Sequence, residues 1–216
     1  MSLSVATLEL GPIGTNTYIV RPDPTASEAV VVDPSGDAAT IGRALEAVGA
    51  RCVAILVTHG HFDHIVSLAD LVALTAARVY APAGERMLLE NPSAFSPPGL
   101  EIPAASADVW LDGGETIATA GISFAVTLVP GHSPAHLAYY AEGELFSGDV
   151  LFAGSVGRTD LPGGDWGVLE TSIRSLLDAY PPDTVVRPGH GGPTTLAGEL
   201  QSNPFLEGAR TTRASG

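Results

Sequence analysis

The residues best suited to chemistry in this sequence lie in one short run, HGHFDH at positions 59–64, which packs three imidazoles and one carboxylate together. Imidazole nitrogen and carboxylate oxygen are the donors that zinc, iron and manganese sites use. His59 and His61 are two apart, a spacing at which a helix could not aim both at one ion, so a loop leaving the end of a strand has to carry them. The bland alternative is a polar surface loop in which Asp63 caps a helix starting near Ile65, and the density of histidine weighs against it. Only three further histidines exist, His132, His136 and His190. His132 stands in PGHSP, His190 in RPGHGG, and Asp149 directly follows ELFSG. Each comes just after a strand-like apolar run, beside a glycine that lets the chain turn sharply. Four strand ends meeting at one rim would gather His59, His61, Asp63, His64, His132, Asp149 and His190.

The elements needed for this are legible as hydrophobic periodicity. Strands are expected over 4–10 and 16–21, with a third ending at Asp33. A helix follows over 37–48, capped by Asp37 or Ser35. The continuous apolar run VAILV (53–57) reads as a buried strand that feeds the histidine run. A strand–helix unit spans about 78–90, and the Pro- and Ser-rich stretch 91–105 reads as a surface loop. Strands are expected near 107–111, 115–119 and 122–129, then a hairpin turning at Glu142 and Gly143. A long loop over 148–165 precedes a helix at 166–178, the strand DTVVR and a last helix at 195–202. Both halves mix strands with helices. The expectation is an α/β fold of two β-sheets packed face to face with helices outside, formed by residues 1–216 as a single domain.

Composition narrows the function classes. With 45% hydrophobic residues the chain can bury a core, and its 25 Gly and 17 Pro are scattered as turn signals without a low-complexity tract. No run approaches the roughly 18 apolar residues that mark a membrane span, so no membrane partner is expected. The start, MSLSVATLEL, has no basic segment, which together with the lack of a span leads to a cytoplasmic expectation. Cys52 is the only cysteine, so no intramolecular disulfide can form, and its place on a strand suits a small core residue. The net charge is −14, and all ten basic residues are arginines without a cluster, which excludes a nucleic-acid surface. The sequence carries no signal for an oligomeric state.

The ordered set HGHFDH, GH at 131–132, GD at 148–149 and GH at 189–190 resembles the H-x-H-x-D-H…H…D…H pattern of the metallo-β-lactamase superfamily. The likeness runs from GTNTYIVR to the final NPFL. It implies an αββα sandwich of two mixed β-sheets flanked by helices. It also implies that His59, His61 and His132 hold one divalent metal ion, that Asp63, His64 and His190 hold a second, and that Asp149 bridges the two together with a hydroxide. Zinc is the first expectation, with iron or manganese as alternatives. Paired cations lower the pKa of a bound water from about 15.7 toward neutrality and polarise a carbonyl, so acyl hydrolysis needs no Ser or Cys nucleophile. Asp63 would both ligate and orient the nucleophile.

Finer motifs narrow the branch. The stretch GDVLFAGSVGRTDLPGGD, with PGHGGPTT and QSNPFL, resembles small single-domain glyoxalase II-like hydrolases. That likeness implies a dinuclear thioesterase acting on a small S-acyl thiol such as S-lactoylglutathione. Two departures separate the sequence from full-length glyoxalase II. Only 26 residues follow His190, too few for a helical C-terminal domain, and Arg158 and Asp160 stand where that enzyme has Lys and Tyr. GRTD at 157–160 is shared with a rival branch, the mononuclear iron persulfide dioxygenases, whose ligands would match His59, His132 and Asp149. Cysteine stands at the Asp149 position in the commonest β-lactamases, which argues against that activity. Arg158 has two open roles, anchoring a substrate carboxylate or pairing with Asp160. His136 is expected to pack or hydrogen bond behind the ligands, one of Tyr139 and Tyr140 to enter the core, and Phe152 and Trp166 to serve ordinary packing in preference to the alternative of lining a substrate mouth. GPIGTN (11–16) reads as a structural turn on the site's rim. A closed structural zinc site takes four ligands, and seven candidates exceed that number.

Overall fold

The structure is a computed structural model that describes residues 2–208. Its first sheet has the strand order β1 (Ser4–Leu10), β2 (Thr15–Arg21), β3 (Glu28–Val32), β4 (Arg51–Leu56), β5 (Arg78–Pro82) and β6 (Val109–Leu111). β1 to β3 are antiparallel and β3 to β6 parallel. Parallel neighbours require crossovers, and helices supply them: α1 (Ala38–Ala47) between β3 and β4, then α2 (Phe62–Ile65) and α3 (Leu68–Thr75) between β4 and β5. α4 (Arg86–Glu90) follows β5. The second sheet is built from β7 (Thr116–Thr119), β8 (Ile122–Leu128), β9 (Leu137–Ala141), β10 (Glu144–Gly148), β13 (Val185–Pro188) and β14 (Thr194–Thr195). Its spatial order is β14-β13-β10-β9-β8-β7, with only β10 and β13 parallel. β11 (Leu151–Phe152) and β12 (Ser155–Val156) form a separate small hairpin, and α5 (Trp166–Ala179) and α6 (Leu196–Ser202) complete the element list.

The layering follows from the period-two alternation of strand side chains. On β3, Val30 and Val32 face the second sheet and join Tyr18, Leu56, Phe124, Val126, Tyr139 and Phe146 in a core between the sheets. Ala29 and Val31 face the other way and pack with Ile41 and Leu45 of α1 and Leu68 and Leu71 of α3. On the far side of the second sheet, Ala138, Leu145 and Val186 meet Leu169, Ile173 and Leu176 of α5. Helices, sheet, sheet and helices therefore stack in four layers, the αββα sandwich expected from the motifs. Tyr139 is fully buried while Tyr140 is half-buried and stacks on Tyr180. Cys52 is buried on β4.

Several elements differ from the expectation. The helix after the histidine run begins at Phe62 rather than near Ile65, so Asp63 and His64 are helical, with Asp63 in the first turn where an acidic side chain suits the helix dipole. The helix over 37–48 has Asp37 as its cap, its carboxylate accepting from Thr40 N–H at 2.8 Å. The stretch 148–165 contains the β11–β12 hairpin. Glu199 of α6 and Asn203 of the QSNPFL motif hold it. Glu199 accepts from Gly154 N–H at 2.9 Å, and Asn203 donates to the Ser155 carbonyl at 2.9 Å. Two-residue strands carry too little hydrophobic alternation to register in a sequence.

Candidate metal centre

Because β10 runs parallel to β13 and antiparallel to β9, which is itself antiparallel to β8, the C-terminal ends of β8, β10 and β13 share one edge. His132, Asp149 and His190 leave from those three ends. The run after β4 arrives from the first sheet, pinned to this edge by the Thr58 carbonyl, which accepts from Leu137 N–H at 2.8 Å. Gly189 stands where a Cβ would lie 2.1 Å from Asp149 Oδ1 and 2.6 Å from His64, so any larger residue would enter the cluster.

All seven expected ligands come together. Three overlapping sets have donor atoms within 4.8 Å of one another: His59, His61 and His132; His59, His64 and Asp149; and Asp63, His64 and His190. In the first, His61 Nδ1 lies 3.1 Å from His59 Nε2 and 2.9 Å from His132 Nε2. Tetrahedral zinc with bonds of about 2.0–2.1 Å separates its nitrogens by roughly 3.3 Å, so this spacing is close to what an ion would set. On the other side, Asp63 Oδ2 lies 3.2 Å from His64 Nε2 and 3.4 Å from His190 Nε2. Asp149 touches both groups, with Oδ1 3.3 Å from His64 Nε2 and Oδ2 3.5 Å from His190 Nε2 and 3.6 Å from His132 Nε2.

The surrounding hydrogen bonds fix which nitrogen of each ring faces inward. His64 Nδ1–H donates to Asp33 Oδ2 at 2.8 Å, and His132 Nδ1–H to the Arg158 carbonyl at 2.8 Å. Thr58 Oγ1 donates to Asp33 Oδ2 at 2.7 Å and therefore accepts from His59 Nδ1–H, 3.0 Å away. The Nε2 atoms of all three rings are left pointing at the cluster. His64 Nε2 and Asp149 Oδ1 are buried without a hydrogen-bond partner, within ion-pair reach of each other but not in bonding geometry. Leaving such atoms unsatisfied costs about 1–3 kcal/mol each, and a divalent cation would satisfy both. The donor set fits two ions.

Protonation divides the cluster in the same way. Burial and the neighbouring imidazoles hold His59 well below its ordinary value and His61 at about 4, and burial also lowers His132. Hydrogen bonds donated to the carboxylates of Asp149 and Asp63 raise His190 to about 10. Burial opposes the same effect on His64, but Asp149, Asp33 and Asp63 outweigh it and raise His64 well above 6.5. Burial would raise the Asp149 carboxyl, yet His64 and His190 hold it well below the carboxylate range. A metal binds the deprotonated ring, so the His59–His61–His132 set is ready at neutral pH whereas the His64–His190 side must first lose protons. One ion should therefore bind with nearly constant affinity between about pH 6 and 9, while the other tightens as pH rises and releases protons on uptake. Calorimetry in buffers of different ionisation enthalpy measures this, and equal proton release for both ions would contradict it.

Residues that the sequence did not single out complete the site. Asp33, buried with φ of 50°, also accepts from Thr58 N–H at 2.8 Å. Thr15 Oγ1 donates to Asp63 Oδ2 at 2.8 Å, and Asn16 holds the His190 loop through the carbonyls of Pro188 and Gly191. The GPIGTN turn thus grips a candidate ligand as well as forming a rim. His136 packs behind the centre as expected. Its ring stacks on His59 at 4.6 Å, and its Nε2 accepts from Asp149 N–H at 3.1 Å. Phe152 stands 6.1 Å from the His190 ring, while Trp166 is partly exposed against Phe205. Arg158 is exposed and forms a bidentate pair with Asp160, both bonds 2.7 Å.

The metallo-beta-lactamase superfamily model matches residues 10–190. The chain belongs to that superfamily. It is 35% identical over 206 residues to the probable metallo-hydrolase YqgX of Bacillus subtilis, covering 93% of this chain and 96% of that protein. It is 33% identical over 186 residues to the hydroxyacylglutathione hydrolase GloC of Haemophilus influenzae, covering 82% and 87%. Among solved structures, the BLEG-1 B3 metallo-beta-lactamase superposes with a TM-score of 0.88 at 40% identity, covering 94% of this chain and 100% of that one. The di-iron-bound form of TTHA1623 gives 0.81 at 38%, covering 93% and 100%. ETHE1 from Myxococcus xanthus gives 0.78 at 26%, covering 95% and 85%. Among the described residues no helix is long and apolar enough to cross a membrane.

Proposed function

We propose that the protein hydrolyses thioesters of small acids, with two divalent cations, zinc first, held by His59, His61 and His132 on one side and Asp63, His64 and His190 on the other, and shared by Asp149. The observation that carries the metal-hydrolase reading is the convergence of these seven side chains, with His59, His64 and His132 already oriented by hydrogen bonds on their outer nitrogens. The thioester is supported by the GDVLFAGSVGRTDLPGGD motif and by the likeness to a relative named hydroxyacylglutathione hydrolase. Paired cations in such a site make water nucleophilic near neutral pH and polarise the carbonyl of an acyl substrate.

The chain's own residues do the rest. Thr15, His64 and His190 all engage Asp63 Oδ2, which leaves Oδ1 to orient water and take its proton. In the overall reaction a C–O bond forms, the C–S bond breaks, and the proton taken from water ends on the departing sulfur. Phe152 packs its half-buried ring edge-on beside His190. Arg158 holds His132 through its carbonyl, while its exposed side chain can exchange Asp160 for a substrate carboxylate, because exposed ion pairs are weak. Residues 1–216 act as one unit in this account, since both sheets contribute to the site.

The test follows thiol release and oxygen uptake in parallel on S-lactoylglutathione, on a truncated acyl thiol and on a β-lactam. Thiol release from both thioesters without oxygen uptake is expected, with a high KM for the glutathione substrate because the chain has no lysine to grip it. Arg158→Ala should raise KM by about three- to tenfold and leave kcat nearly unchanged, since only uniform binding is removed. Stoichiometric oxygen uptake with a persulfide added as a fourth substrate would favour the rival dioxygenase reading of GRTD at 157–160, and turnover of the β-lactam alone would overturn the thioesterase.

A further inference from the structure

Glu85 ends a 3-10 turn, Ala83–Glu85, and is buried. Its carboxylate takes three donors from two different loops. Oε2 accepts from Gly60 N–H at 2.6 Å, while Oε1 accepts from Ser133 Oγ–H and from Ala135 N–H at 3.1 Å. Gly60 lies between His59 and His61, and Ser133 follows His132. One side chain therefore ties the segment bearing two imidazoles of the first set to the segment bearing the third. The packing around it is equally close. A Cβ on Gly60 would lie 2.6 Å from Leu88 Cβ, and one on Gly84 would lie 2.6 Å from Ala135 Cβ. Residues 83–90 are thus pressed between both ligand loops.

The donor pattern requires a carboxylate. All three partners are N–H or O–H groups that donate, and an amide in the same place would turn its own N–H toward one of them. A buried anion is costly unless its hydrogen bonds are satisfied, and no Arg pairs with Glu85 among the described residues. A simpler core would avoid the charge. Glu85 has no bond to the other side of the centre, where Asp33 holds His64 and Thr15 holds Asp63; Asp33 reaches the first set only indirectly, through Thr58 against His59.

We propose that Glu85 is a positioning residue for the His59–His61–His132 set alone, a reading that rests on the metal centre proposed above but not on the reaction it performs. The two sides of the centre are then separately breakable. Loss of this kind of outer support typically weakens a metal site by about 10–100-fold.

The experiment titrates each ion into the full-length metal-free protein against a chelator, with zinc and with cobalt, and records cobalt absorption and the melting temperature of the metal-free form. Glu85→Gln should weaken one ion by about 10–100-fold and alter its cobalt spectrum, with the other held within about threefold of wild type. Ser133→Ala, which removes one of the three donors, should shift the same ion less, and it decides the matter by the same criteria if Glu85→Gln does not fold. Wild-type affinity for both ions in the variants would overturn the proposal, as would an equal loss of both that tracks a lower metal-free melting temperature. A wild-type protein that binds neither ion would instead overturn the metal centre itself.

Discussion

Asp149→Ala is expected to lower kcat/KM by about 10³-fold or more, roughly 4 kcal/mol of transition-state stabilisation, and to weaken both metal ions together. The size of the effect follows from position. Among the described residues Asp149 is the one carboxylate within 3.6 Å of ring nitrogens from both sides of the cluster, reaching His132 as well as His64 and His190. Removing it takes away one of the two carboxylate oxygens within 3.3 Å of His64 Nε2, Asp63 supplying the other, and removes the carboxylate that would draw the two ions together. His190→Ala makes the contrast, since it removes a donor from one set and should empty one ion while sparing the other. Atomic absorption on the purified variants, alongside kinetics, checks both. Equal occupancy in wild type and Asp149→Ala would contradict the shared-ligand role.

Asp33→Ala comes next in expected effect. One buried carboxylate accepts from Thr58 N–H, Thr58 Oγ1 and His64 Nδ1 at 2.7–2.8 Å. Its loss strands three donors, and His64 becomes free to turn its ring. The expected cost is about 2–4 kcal/mol of stability, because buried donors left unpaired cost about 1–3 kcal/mol each and part of the loss is relieved by relaxation. The ion on the His64 side should weaken by about 10–100-fold. Asp33 sits at φ 50°, a conformation that Asn also tolerates, so Asp33→Asn separates backbone strain from acceptor loss. Denaturant melts and metal titration of the two variants measure this. Wild-type stability and metal binding in both would contradict it.

The ligands were legible in the sequence because their chemistry is rare and their placement repeats. Histidine is scarce in this chain, and His59, His132 and His190 each follow an apolar run that had to be a strand. The sheets were legible for a similar reason, since VAILV and the alternating β1 and β8 segments leave little choice of period. What supports the ligands was hidden. Asp33 and Glu85 look like ordinary acids on a chain with 24 of them, and their partners lie 25 to 50 positions away. Only the fold brings Glu85 under Gly60 and Ser133. One local signal was available for Asp33, an acid directly after the buried run AVVV, where a charge is costly unless it has partners. Arg158 was read through its side chain, whereas its carbonyl holds His132, and a backbone contact leaves no mark in the residue type. The start of α2 leaves no mark in the sequence, because a four-residue helix has too few turns to show a period and its Asp63 and His64 are equally at home as loop ligands.

Metal content per chain, measured on wild-type protein purified without added metal and again after equilibration with excess zinc, tests the central claim most directly. The account predicts two ions per chain at saturation, bound in two steps, with only the weaker step tightening as pH rises. A single ion at saturation, unaffected by His190→Ala, would contradict it.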